Sequence, residues 1–149
     1  MKKFITSAVI LLLFAVAAKA QILTPVHWSY GAKKTSNNEA VVFIKATIDD
    51  GWHLYSQFVK DGGPVKTTIA FPPSASYTLI GKTVEPTPIT RNEKVFSMDV
   101  SFFEHEVVFQ QKIKLKTGQA TVKGTLEYMT CNDHQCLPPD NLEFSVQVK

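Results

Sequence analysis

The sequence predicts an all-β domain, an immunoglobulin-like antiparallel sandwich, on three observations. Apolar and polar residues alternate at period two in four separate runs. Turn-forming residues punctuate those runs at short intervals. After the N-terminal segment, no window carries a sustained 3.6-residue apolar stripe bounded by helix caps. Short strands spaced by turns in this way are the pattern of a sandwich.

The runs take the same form along the chain. In residues 41–48, Val42, Ile44, Ala46 and Ile48 share one face. In residues 107–115, Val107, Phe109, Ile113 and Leu115 share a face while Lys112 and Lys114 point the other way. In residues 121–129, Val122, Leu126 and Tyr128 alternate with Lys123, Thr125 and Glu127. The last run sets Leu142, Phe144, Val146 and Val148 against Glu143, Ser145, Gln147 and Lys149. Each run therefore has one buried face and one wet face. The turns between them are Asp49-Asp50-Gly51, Asp61-Gly62-Gly63-Pro64, Pro72-Pro73, Gly81, Pro86 to Pro88, Gly118 and Pro138-Pro139. Residues 84–100, with prolines and mixed side chains, are expected to form a long and functional loop.

The first twenty residues read as an export address. Lys2 and Lys3 open it, residues 4–18 are apolar apart from Thr6 and Ser7, and Ala18-Lys19-Ala20 is a small-x-small cleavage pattern. The apolar stretch is shorter than the ~20 residues of a membrane span. Cleavage between Ala20 and Gln21 is expected, leaving residues 21–149 as one domain with a core large enough to fold without cross-links. Removing Lys2, Lys3 and Lys19 brings the basic count down to match the 13 acidic residues, so the precursor's net charge of +3 disappears. A balanced surface without a long basic run argues against nucleic acid or an anionic membrane surface as partner.

The two cysteines are too few for a disulfide framework, which leaves one structural bridge or one working redox pair. They lie in Cys131-Asn132-Asp133-His134-Gln135-Cys136-Leu137-Pro138-Pro139, between two strand runs and hence at the tip or shoulders of a hairpin. There their Cα atoms can approach within disulfide range, ~4.4–6.8 Å. A bridge closing so small a loop stabilises least, which favours a pair that opens and closes over a purely structural one. A copper or zinc carrier using Cys131, His134 and Cys136 is a further reading, although no second ligand cluster completes a zinc site. In a redox pair one thiolate attacks and its neighbour resolves the mixed disulfide. A protonated His134 would favour the thiolate and Asp133 would oppose it.

The run Glu127-Tyr128-Met129-Thr130-Cys131 through Cys136-Leu137-Pro138-Pro139 resembles the active-site hairpin of the N-terminal periplasmic domain of DsbD, a transmembrane thiol:disulfide reductase. Asp50-Gly51-Trp52-His53-Leu54-Tyr55 is similar to the same family's Gly-aromatic-aromatic-Leu-Tyr strand. The resemblance spans residues 39–148 and implies an immunoglobulin-like sandwich acting as an electron relay without a cofactor. It implies Cys136 as the sulfur that forms mixed disulfides and Cys131 as the one that resolves them. It places Phe96 at the family's aromatic shield, on a cap loop over the disulfide. The family's acidic pair is not matched there, since Lys94 and Val95 take its place and Glu93 is displaced. His53 falls on the first of two active-site tyrosines and Tyr55 keeps the second.

The expectation is therefore a monomeric periplasmic thiol–disulfide oxidoreductase working through Cys131 and Cys136. Its surroundings are His53, Tyr55, Phe96, Asp133 and His134. Its partners are thioredoxin-fold redox proteins and a separate membrane thiol reductase that supplies the electrons. The competing expectation is an immunoglobulin-like adaptor with a static disulfide.

Overall fold

The computed structural model describes residues 23–149, so the expected export segment and its cut lie outside the described residues. In chain order the strands are β1 (Val26–Lys34), β2 (Glu39–Ile48), β3 (Trp52–Tyr55), β4 (Thr68–Ala70), β5 (Tyr77–Val84), β6 (Ile89–Glu93), β7 (Met98–Phe103), β8 (Glu106–Leu115), β9 (Ala120–Tyr128), β10 (Thr130–Asn132) and β11 (Asp140–Val148). Every pairing is antiparallel. No helix among the described residues is long and apolar enough to cross a membrane.

One layer is the sheet β1-β2-β8-β5. The other is formed by two sheets, β11-β9-β4 and β10-β3-β7-β6. The alternating faces meet between the layers, where Val42, Ile44, Phe109 and Ile113 pack in one cluster with Leu54, Phe103, Val122, Leu126, Phe144 and Val146. The four runs with period-two alternation are β2, β8, β9 and β11, each with its apolar face inward. Gln111 is the polar exception on the buried stripe of β8. β5 shifts register between Ile80 and Val84, with Gly81 in the left-handed region at φ 67°. Gln111 Nε2 donates to Ile80 O and its Oε1 accepts from Thr83 Oγ1, so the amide ties together the residues on either side of the bulge.

The two sheets of the second layer are joined at Met129, where the chain leaves β9 and immediately enters β10. This step carries the cysteine segment away from β11 and onto β3. β3 is buried along its whole length because both its faces are covered. Trp52 and Leu54 face the inter-sheet core. Tyr55 faces a second, smaller cluster on the outside of the sheet.

Residues 84–100 differ from the expected loop. They hold β6, a four-residue turn and the start of β7, paired from Ile89↔Phe102 to Glu93↔Met98. β6 is an edge strand exposed nearly throughout, so its side chains carry no alternation to read. Its turn closes through Phe96 N to Glu93 O and Ser97 N to Lys94 O, with Ser97 at φ 52°, a conformation usually left to glycine.

Candidate redox site

The cysteine hairpin is set by local turn chemistry. Asn132 Oδ1 accepts from the backbone N–H of both His134 and Gln135, folding residues 132–135 into an Asx-type turn. Asn132 N donates to Gln135 O, and Leu137 N donates to Thr130 O. Between those two bonds Cys131 and Cys136 stand directly opposite each other as a non-hydrogen-bonded antiparallel pair, the position where Cα atoms come closest. Their Cα atoms are 4.0 Å apart and the sulfurs are bonded. This is slightly closer than the range expected from the sequence. Pro138 and Pro139 follow outside the pairing, where missing N–H groups cost nothing.

The two halves of the bridge differ in environment. Cys131 is 3% exposed and packs with Tyr55, Val59, Val100 and Phe102, joined by the half-buried Phe96, Met98 and Met129. Cys136 is exposed at the far side of the hairpin, with Asp133 and His134 exposed at its tip. The sequence therefore marks correctly that the disulfide sits at a hairpin, and the fold adds that one sulfur-bearing residue is buried and the other open.

β10 lies against β3 with Cys131 opposite His53, and Thr130 Oγ1 donates to His53 O. Residues at i and i+2 on a strand share a face, so His53 and Tyr55 lie on the same side as Cys131. The Tyr55 ring meets Phe96 edge-on at 6.4 Å between centroids. Burial pushes the Tyr55 hydroxyl up to about 12, with Glu93 adding to the shift and Arg91 opposing it. Tyr55 is thus a neutral phenol at any physiological pH. Phe96 belongs to this small cluster and not to the inter-sheet core.

Several residues of the site carry no signal in the sequence. Arg91 stands over the Phe102 ring at 4.9 Å and donates to Glu93 Oε1. Its guanidinium is held above its already high range by that bond to Glu93, and Asp133 and Glu104 add further in the same direction. The His53 ring also packs on Phe102, 4.8 Å between centroids, with Nδ1 3.7 Å from Glu104 Oε1. Val59 comes from the segment after β3. That segment is anchored by the Glu85 carboxylate, which accepts from Ser56 Oγ, Gln57 N and Gln57 Nε2. These residues converge only through non-local strand pairing.

A disulfide hairpin docked on an aromatic strand agrees with the sequence resemblance. The family model described as the N-terminal part of the thiol:disulfide interchange protein DsbD matches residues 19–147. The chain belongs to the DsbD N-terminal domain family. A search of curated protein sequences gives no significant match. Among solved structures, the Neisseria meningitidis DsbD N-terminal domain in its reduced form is similar, with TM-score 0.51 and 18% identity over 78% of this chain and 82% of that one. The complex of the DsbD and PilB N-terminal domains from the same organism gives TM-score 0.55 and 17% identity over 84% and 87%. The N-terminal periplasmic domain of ScsB from Proteus mirabilis gives 0.54 and 18%, covering 85% of this chain and 49% of that one. These likenesses fix the fold as that of the DsbD N-terminal domain, an immunoglobulin-like sandwich. Membership of the family supports a thiol–disulfide exchange role carried by a cysteine pair. No group of three His, Cys, Asp or Glu side chains among the described residues is arranged to hold a metal ion.

Proposed function

We propose that this chain is an exported electron relay that takes reducing equivalents from a membrane thiol reductase and passes them to periplasmic thioredoxin-fold or disulfide-bonded proteins. In this reading Cys136 attacks the client disulfide and forms the mixed disulfide. Cys131 then attacks Cys136, re-forming the intramolecular bridge and releasing the client as a dithiol. The observation that carries it is the burial contrast: Cys131 is 3% exposed while Cys136 is open. Exchange depends on which sulfur an incoming partner reaches, and the open Cys136 is the one a partner meets first. The complex of a DsbD N-terminal domain with a PilB N-terminal domain supports a protein partner of this kind. Phe96, packed on the Cys131 cluster, is read as the shield that slows exchange with small thiols.

Export through the signal at residues 1–20 and a periplasmic location belong to the same reading. The test is thiol labelling after equilibration in graded glutathione buffers. A relay opens reversibly within the span of exported redox poise, about −180 to −300 mV, whereas a static bridge stays closed across it.

A further inference from the structure

His53 is buried, 6% exposed, yet its Nδ1 makes no hydrogen bond. A buried polar atom without a partner is costly, so an orphaned imidazole nitrogen beside a redox disulfide calls for an explanation. Three relationships bear on it. His53 and Cys131 are paired across β3 and β10, and directly opposed residues have Cβ atoms only ~4.5–5.5 Å apart on one face. Glu104 Oε1 stands 3.7 Å from Nδ1, too far for a hydrogen bond to a neutral ring but placed to attract a charged one. Glu104 is itself fixed by a tight turn, in which Glu106 N donates to Glu104 O and His105 takes φ 62° while its carbonyl accepts from Ile48 N.

From this geometry we infer that His53, backed by Glu104, is the base that takes the Cys131 proton when the resolving step begins. The inference rests on the reading above in which Cys136 holds the client and Cys131 resolves. While the bridge is closed Cys131 carries no proton to transfer. Once Cys136 is bonded to a client sulfur, Cys131 is a thiol in an apolar cluster, where a thiolate forms poorly. Transfer of its proton to the imidazole gives a thiolate and an imidazolium, and Glu104 stabilises the imidazolium. The thiolate attacks Cys136 Sγ, the Cys131–Cys136 bond forms, and the Cys136–client bond breaks. The client sulfur leaves with the electron pair and is protonated by the imidazolium or by water. The two cysteines are oxidised and the client is reduced.

The charged and titratable groups around the imidazole are Glu104 after β7, Tyr55 on its own strand, and Arg91 and Glu93 on β6. Arg91 shares the Phe102 ring with His53. Asp133 and Glu104 both act on Arg91. Tyr55 stays neutral and Arg91 is engaged by Glu93, which leaves the Glu104–His53 pair to carry the proton.

The experiment mixes reduced protein with 5,5′-dithiobis(2-nitrobenzoate) and follows thionitrobenzoate release by stopped flow from pH 5 to 9. The first release reports attack by Cys136 and the second reports resolution by Cys131. His53→Gln should slow the second phase roughly tenfold or more and flatten its pH profile, leaving the first phase unchanged. His53→Tyr, which keeps an aromatic ring on Phe102, should do the same. Glu104→Gln should slow the second phase by a smaller factor. Far-ultraviolet circular dichroism confirms that each variant is folded. Cys131→Ser should give the first phase alone. With Cys131→Ser monophasic, a second phase in both His53 variants that matches wild type in rate and pH profile overturns the inference alone. A first phase in Cys131→Ser far slower than in wild type would overturn the order of the cysteines and this inference with it.

Discussion

Tyr55 on β3 and Phe96 in the β6–β7 turn meet edge to face at 6.4 Å, tying the floor beneath Cys131 to the hairpin beside it. Phe96→Ala removes that contact and opens a path to the bridge. Reduction of the oxidised protein by dithiothreitol should become several-fold faster, because exchange rates follow access to sulfur. Stability should fall by about 1–2 kcal/mol, less than for a fully buried phenylalanine. Urea titration and reduction kinetics check the two effects separately.

Reduction should leave the fold intact. The bridge spans a sequence separation of 5, and closing so short a loop contributes about 2 kcal/mol at most in the chain-entropy model. The larger core, between the two layers, does not involve either cysteine. The melting temperature should drop by less than about 10 °C on reduction. Differential scanning calorimetry with and without reductant measures this, and unfolding at room temperature would identify a structural bridge.

Alkaline pH should weaken the domain, in part through Tyr55. Burial raises its folded value to about 12, above the ordinary tyrosine value of 10.0. The folded state therefore holds the phenolic proton more tightly, so this contribution is fully present below pH 10 and is lost as pH rises towards 12. Tyr30, Tyr77 and Tyr128 are shifted the same way by burial and act in the same direction. Tyr55→Phe should leave a shallower loss of stability between pH 9.5 and 11.5 than wild type shows. Urea midpoints across that range provide the measurement.

Gly124 on β9 should tolerate no side chain. A Cβ there would lie 2.3 Å from Phe144 Cζ and 2.9 Å from Ala70 O. Phe144 is its cross-strand partner and is held by Tyr30, stacked at 4.9 Å, and Phe71, edge-on at 5.8 Å, so the ring has little room to retreat. Gly124→Ala should cost about 1–3 kcal/mol by overpacking, read from urea unfolding, with thiol–disulfide exchange unaffected in the folded protein.

The strands that can be read from the sequence are those with one wet face. β2, β8, β9 and β11 alternate because solvent covers one side and the inter-sheet core the other. β3 does not alternate, since His53 and Tyr55 are covered by the outer cluster while Trp52 and Leu54 enter the main core. β6 fails for the opposite reason: it is an exposed edge, and the Lys94-Val95-Phe96-Ser97 turn lacks the glycine, proline or asparagine that usually marks a hairpin. The cysteine pair was evident from spacing and its flanking prolines. Its neighbours Arg91 and Glu104 were not, because their positions depend on β6, β7 and β10 being assembled around β3.

The most direct test of the relay compares the two single-cysteine variants for their ability to hold a client. Cys131→Ser and Cys136→Ser are each exported in the native host, quenched with acid, and searched for disulfide-linked adducts by mass spectrometry. The burial contrast predicts that Cys131→Ser accumulates mixed disulfides with thioredoxin-fold proteins through Cys136, since no resolving thiol remains. Cys136→Ser should trap far fewer, because Cys131 is enclosed by Tyr55, Val59, Val100 and Phe102. Equal trapping by the two would contradict the assigned roles. No adduct from either, with a wild-type bridge that never opens, would contradict the relay itself.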